Sequence, residues 1–309
     1  MEILQQIVNG LTQGAIYALI ALGYTMVYGV LRLINFAHGD VYMLGAFAGF
    51  YSAAWLGLTK RLDAETPVYD FTHWLLVAAL FFIAMLTCAL IGAALERFAY
   101  RPLRQSPRLT ALITAIGVSL VLENGAQAVF SPDPQPFPAL IPPTNLIDKP
   151  DFNLSLVQVT IIGVAFLLMI GLQFIVTKTR IGRAMRAVSL DRNAASLMGI
   201  NTDVVISFTF ALGSALAAAG GILNSVYQPT IDPLMGLMVG LKAFVAAVLG
   251  GIGSIPGAVL GGLLMSGAET AVVARGYSEY RDAIAFAILI LVLLLRPAGL
   301  LGRTAPEKV

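Results

Sequence analysis

Long apolar runs alternate along the chain with short polar connections. Nine apolar segments can be read, at approximately 7–31, 40–58, 74–95, 109–130, 154–177, 204–224, 236–252, 255–274 and 283–299. Most are long enough for an α-helix, rising about 1.5 Å per residue, to cross about 30 Å of hydrocarbon. A membrane β-barrel would instead show segments of about 10 residues with alternating polarity. The pattern therefore predicts an all-α polytopic membrane protein with about nine transmembrane helices in a single domain, 1–309. Segments 40–58 and 236–252 are short or glycine-rich, so that either could be broken or re-entrant; the range is eight to ten spans.

The order of the segments predicts an inverted repeat. Segments one to four and six to nine form two halves, and the single span between them turns the second half over. The link INFAHGDVYMLGAF and the link TIDPLMGLMVGLKAF each set a polar turn before a glycine-containing segment that carries Ala-Phe, at Ala46–Phe47 and Ala243–Phe244. Such repeats with broken helices place a substrate path between the halves.

Composition agrees with the pattern. The chain is 58% hydrophobic and only 12% charged, whereas about a quarter of a soluble domain is charged. That excludes most soluble enzymes and disordered chains. A net charge of +2 offers no field for nucleic acid, so the expected surroundings are membrane lipid. The lone Cys88 can form no intrachain disulfide, and two histidines, His38 and His73, cannot build a His-rich metal site; no metal is expected. The first residues lack the basic start of a cleaved signal peptide, so the first segment is expected to be retained.

The sparse charge is sorted. Thirteen of the 19 basic residues fall in one set of loops: Arg32; Arg97, Arg101, Arg104 and Arg108; Lys178, Arg180, Arg183, Arg186 and Arg192; Arg296, Arg303 and Lys308. Five lie in the opposite set, and Lys242 is inside a segment. The positive-inside rule then predicts a cytoplasmic C-terminus and, with nine spans, an outside N-terminus. The longest outside connection, 131–153, is rich in proline, which removes backbone donors and predicts a stiff, extended segment.

The cytoplasmic connection 179–203 is too patterned for a plain linker. Ala184, Ala187, Val188, Asp191, Ala194, Ala195 and Met198 recur at spacings that place them on one helix face, with Arg183 and Arg186 elsewhere. Gly199 suits the helix end, and Asn201, Thr202 and Asp203 suit the start of the next span. A small, alanine-rich face lets another protein approach closely. This is read as a docking helix in preference to one lying on lipid, since it has no Trp or Phe anchor.

Polar groups inside the apolar runs are costly and tend to be functional. They are Glu123 and Asn124, Lys242, Glu269, and Asn35 and His38 at the NFAHGD turn. Two readings stand side by side for them: a Glu123–Lys242 or Glu269–Lys242 ion pair bracing the bundle, or a role along the substrate path. Gly250, Gly251, Gly253 and Pro256 at a segment boundary are candidates for a hinge. No residue is assigned a catalytic role. No G-x-x-x-x-G-K-[ST] loop is present, and GLMVGLKAF has the wrong spacing, so energy must come from a partner or an ion gradient.

The stretch GRAMRAVSLDRNAASLMGIN resembles the coupling loop of ABC-importer permeases, and YALIALGYTMVYGVLRLINFAHGDVYMLGAF closely resembles the LivH-type permease family of bacterial branched-chain amino acid importers. GGIGSIPGAVLGG and LLLRPAGLLG extend the resemblance over essentially the whole chain. Within the loop, Gly199 matches the family's fixed glycine, while Arg183-Ala184 and Ala194-Ala195 stand in place of a strict Glu-Ala-Ala. The resemblance implies a permease subunit in the bacterial inner membrane, paired with a second, LivM-like permease chain. It implies two cytoplasmic ATPase subunits that carry the ATP and Mg, and a periplasmic or lipid-anchored binding protein delivering leucine, isoleucine or valine. The alternative from the residues alone is a stand-alone ion-coupled secondary transporter or channel for a small solute. A self-contained carrier would not need a cytoplasmic docking helix.

Overall fold

Every one of the nine apolar runs is a helix in the computed structural model, which describes residues 2–33, 35–62, 68–104, 106–149 and 152–302. Arg303 and Lys308 of the basic set, and positions 150 and 151 of the proline-rich connection, lie outside the described residues. The helices that fill the runs are α1 (Glu2–Leu31), α2 (His38–Trp55), α4 (Phe71–Leu95), α5 (Arg108–Phe130), α6 (Leu156–Lys178), α9 (Thr202–Tyr227), α10 (Met235–Gly250), α11 (Ile255–Ala274) and α12 (Arg281–Leu295). Three shorter helices, α3 (Leu58–Leu62), α7 (Arg180–Leu190) and α8 (Arg192–Leu197), lie in the connections. A π-helical turn, Glu96–Tyr100, and a 3-10 turn, Arg101–Leu103, prolong α4. Six helices, α1, α4, α5, α6, α9 and α11, are long and apolar enough to cross a membrane, whereas α10 is shorter.

The two central helices, α1 and α9, are mostly buried, while α4, α5 and α6 show most of their surface. The central pair is less hydropathic than α4 or α6. Small residues, not greasy ones, bring these backbones together, because lipid competes equally for apolar side chains. A Cβ on Gly14 of α1 would lie 2.9 Å from the Leu263 Cα of α11, and one on Gly262 of α11 would lie 2.7 Å from the Ala18 nitrogen of α1. A Cβ on Gly221 of α9 would run into the Tyr42 carbonyl of α2.

The two short or glycine-rich segments begin inside the bundle. The first residue of α2, His38, lies over Gly23, about two turns before the end of α1. Gly236 and Gly240, in the first turns of α10, press on Gly39; a Cβ on Gly240 would sit 2.8 Å from the Gly39 Cα. Neither Ala37 nor Leu234 supplies a side-chain cap to these helix starts. Irregular backbone at such depth is tolerated only where protein buries it; Asn35, Ala37, Gly236 and Gly240 are buried, whereas Leu234, just before α10, is exposed.

The proline-rich connection is extended, and parts of it form ladders. β1 (Gln135–Pro136) pairs antiparallel with β4 (Thr230–Ile231), and β2 (Asn145–Lys149) pairs with β3 (Phe152–Ser155). Phe137, Leu140 and Ile141 are buried, and a His73 ring nitrogen lies 2.8 Å from the Leu140 carbonyl. This end of the bundle also gathers the start of α1, through the Asn153 N–H donating to Gln5 at 2.8 Å and the Gln158 amide donating to Asn9 at 2.9 Å. Arg32, Arg104 and Arg192, from three different basic loops, come together at the other end.

Candidate functional site

The basic end carries the patterned connection. Thr179 starts α7 by accepting the Gly182 N–H at 3.1 Å. A Cβ on Gly182 would collide with the Ile175 and Val176 carbonyls, so glycine lets α7 fold back against the end of α6. Arg186 donates to the Val176 carbonyl and holds that corner. The helix then stops: Asp191 is extended, with φ −151°. Its carboxylate accepts the N–H groups of Asn193 at 2.8 Å and Ala194 at 3.0 Å and so begins α8. α8 closes in a Schellman motif, with Ile200 N–H to the Ala195 carbonyl at 3.1 Å, Gly199 N–H to the Ser196 carbonyl at 3.0 Å, and Gly199 at φ 80°.

This corrects the single docking face expected from Ala184, Ala187, Val188, Asp191, Ala194, Ala195 and Met198. The face is cut at Asp191, whose side chain is a better helix starter than helix interior. Val188 and Ala195 are buried in the main core, with Ala184 and Ala187 packed against it. Ala184, Ala187, Val188 and Ala195 therefore pack on the bundle, while Ala194 stays outward. What remains outward is Leu190, Leu197 and Met198, each more than 80% exposed, with Arg183, Asp191, Ala194 and Gly199 also exposed. Leu190 and Leu197 were not among the expected docking residues. They fall outside the spacing that marked the inner face, and that was the signal available.

Behind the connection lies an ion network that spacing could not reveal. Arg104 donates to Glu96 and to Asp203, Arg101 donates to Asp203, and Ser207 donates to Glu96. Glu96 is fully buried, and Arg104 is only 5% exposed. The network ties the π-helical extension of α4 to the first turns of α9, directly after the connection. Asn201 caps α9, accepting the Val204 N–H at 3.2 Å, while Asp203 serves the network instead of the cap. π-Turns recur at functional sites.

A second polar cluster lies inside the bundle at the start of α2. The Tyr100 hydroxyl donates to Asn35 at 2.5 Å, and His38, fully buried, packs edge-on against Tyr24 with ring centroids 4.7 Å apart. Asp40 accepts from Ser119 of α5 at 2.5 Å and faces the carboxyl of Glu123, one turn along the same helix. Both carboxyl side chains are buried. Asn124 differs from the expectation. It is exposed on the outer side of α5 and donates to the Leu120 carbonyl at 2.7 Å, which satisfies it locally.

Lys242 pairs with Glu269 at 3.2 Å and with Asp282 at 2.6 Å. Glu269 also accepts from Arg281 at 2.8 Å and from the Tyr17 hydroxyl at 3.0 Å. The expected Glu269–Lys242 pair therefore forms, within a four-helix network, whereas Glu123 turns to Asp40 and makes no pair with Lys242. Two acids facing two bases lessen the cost of burying each.

The glycine-rich boundary is braced. Gly251 and Gly253 hold φ 104° and 96°, Ser254 caps α11 through the Gly257 N–H at 3.2 Å, and Pro256 sits in its first turn. The Leu300 and Leu301 N–H groups bond the Leu249 and Gly250 carbonyls, both at 2.9 Å. The chain end thus clamps the turn, and a Cβ on Gly251 would strike Gly302. The positive φ angles explain Gly251 and Gly253 as turn residues at the boundary where the hinge of Gly250, Gly251, Gly253 and Pro256 is expected.

Comparison with known proteins covers nearly the same span. A family model described as the branched-chain amino acid transport system / permease component matches residues 6–293. The high-affinity branched-chain amino acid transport system permease protein LivH of Salmonella typhimurium is 47% identical, over 99% of this chain and 97% of its own. LivH of Escherichia coli K12 shows the same values. The corresponding BraD protein of Pseudomonas aeruginosa is 44% identical, over 99% and 98%. No solved structure matches.

Proposed function

The chain belongs to the branched-chain amino acid transport permease family, and on that premise we propose that it is the permease subunit of an ABC importer for leucine, isoleucine and valine. The observation that carries this reading is the identity of 44–47% over 99% of the chain to permeases named for that transport. It is a transport subunit, and ATP with its Mg is hydrolysed on two partner ATPase chains in the cytoplasm. A LivM-like permease completes the pore, and an external binding protein delivers the substrate. The stand-alone ion-coupled carrier is not favoured, since the relatives are named as components of a transport system.

In this reading the protein lies in the inner membrane with nine spans. Its basic end and C-terminus are cytoplasmic, and its N-terminus is outside, following the charge asymmetry. The inverted repeat is supported by the meeting of the starts of α2 and α10 at Gly39, Gly236 and Gly240. The buried Asp40–Glu123 pair, with Asn35 and His38 beside it, serves the substrate path and receives the ammonium group. Glu123→Gln should then lower leucine uptake by reconstituted importer about tenfold, the scale of one charged hydrogen bond. Uptake at the wild-type rate would remove Glu123 from the path.

ATPase docking falls to the outward corner of α7 and α8, at Leu190, Leu197, Met198 and Gly199, with Arg183 and Asp191 alongside. This surface is supported by exposure of large apolar side chains beyond the membrane-spanning helices. Leu197→Asp should reduce ATP-driven leucine uptake in proteoliposomes about tenfold, as loss of an interface anchor does, with an unchanged thermal midpoint. Full uptake by that variant would reject the docking surface. Ala195→Asp would test packing instead, because Ala195 is buried.

A further inference from the structure

At the basic end, Arg32, Arg104, Arg192 and Ser106 line a cavity of about 220 Å³ whose other walls are Leu31, Leu33, Leu103 and Ala111. A second cavity, of about 280 Å³, adjoins it, sharing Leu31, Arg32 and Arg192. The charges do not balance. Among the described residues, four guanidiniums, from Arg32, Arg101, Arg104 and Arg192, face two carboxylates, Glu96 and Asp203. Asp191 lines the neighbouring cavity and keeps its charge while its carboxylate accepts the N–H groups that start α8, so four guanidiniums stand against three carboxylates and the excess is still positive. Arg104 spends its two terminal nitrogens on Glu96 and Asp203, and its buried Nε has no partner among the described residues. Burial, and then the charge of Arg104, push the Arg192 guanidinium below its ordinary value. Arg32 holds a left-handed φ of 54°, uncommon for a residue other than glycine, at the wall shared by both cavities.

We propose that this cavity binds the phosphodiester headgroup of an anionic phospholipid. Arginine suits phosphate oxygens through its planar array of donors. The depth also suits a lipid. The cavity lies where α1 ends, at Leu31, and near the start of α5, at Ala111, so it sits at the boundary of membrane-spanning helices. Its four apolar walls accept the glycerol and first acyl carbons, which a soluble anion would leave in contact with nothing. Basic pockets between helices at a membrane boundary recognise such headgroups. A lipid bound here would touch Arg104 of the ion network and Arg192 of the outward connection at once, joining the two.

The full chain, purified in neutral detergent, is offered phosphatidylglycerol, phosphatidylcholine or inorganic phosphate. Bound lipid is counted by native mass spectrometry, and the thermal midpoint is recorded. Phosphatidylglycerol should be retained and should raise the midpoint; phosphatidylcholine and millimolar phosphate should do neither. Arg32→Gln with Arg192→Gln should weaken phosphatidylglycerol retention about 25-fold, taking about fivefold per basic residue at a membrane surface. Arg275→Gln, at the opposite end, should retain it as the wild type does. Equal retention of the two lipids by the wild type, or unchanged retention by the double variant, would overturn the proposal. Displacement of the lipid by millimolar phosphate would overturn the lipid assignment. The comparison of lipids on the wild type decides the matter even where the double variant fails to fold.

Discussion

Arg104→Met is expected to destabilise the purified protein by about 3–5 kcal/mol, the cost of leaving a buried charge without its partner. Glu96 is fully buried, and Arg104 is the one cation paired with it among the described residues. Methionine fills a similar volume but donates nothing, so the carboxylate keeps only the Ser207 hydroxyl. Two companion variants separate this cause from simple loss of packing. Arg101→Met removes a pair that is 41% and 36% exposed, and such a pair contributes at most about 1 kcal/mol. Glu96→Gln added to Arg104→Met removes the orphan charge and should recover much of the loss. Thermal unfolding in detergent reads all three. A midpoint for Arg104→Met equal to that of Arg101→Met would contradict the role assigned to the network.

Gly39→Val should prevent assembly of the bundle, seen as loss of monodisperse protein on size-exclusion chromatography. A Cβ on Gly39 would collide with the Gly236 carbonyl and stand 3.0 Å from the Gly240 Cα. Both obstacles are backbone, so relief requires the helices α2 and α10 to move apart. Their starts carry no side-chain caps and depend on close burial. Gly117→Ala and Gly125→Ala serve as controls, because nothing lies within 4 Å of a Cβ at either position. In a helix such a change is neutral or stabilises by about 0.4–1 kcal/mol. Normal yield of folded Gly39→Val would show that the two helix starts are not held against each other.

The relation between sequence and site differs from one region to the next. Gly199 was legible as a helix end because few residues other than glycine accept a φ of 80°. The Asp191 break was not legible, because a periodic run of apolar spacings passes through it unchanged. Only the short-range preference of aspartate for starting a helix marks the position. The direction of the alanine face is not legible for a related reason. A small residue can serve a partner's approach or the bundle's own packing, and Val188 and Ala195 serve the second. Lys242 and Glu269 were found because charge inside an apolar run stands out. Choosing Glu269 over Glu123 as the partner needed the fold, since α11 lies against α10 while Glu123 meets α2.

What the sequence by itself determined is the nine long helices, their approximate ends and the sorting of basic residues to one end. Those properties follow from hydrocarbon thickness, backbone hydrogen bonding and the cost of unpaired charge, all of which act locally along the chain. The tertiary structure alone decided which helices stand at the centre, where the starts of α2 and α10 meet, and which acid each base holds. Membrane helices are apolar all round, so hydrophobic pattern does not distinguish an inner face from a lipid face. Close approach at glycines and pairing between residues as distant as Arg104 and Asp203 made those choices. Such contacts exist only once the chain has packed.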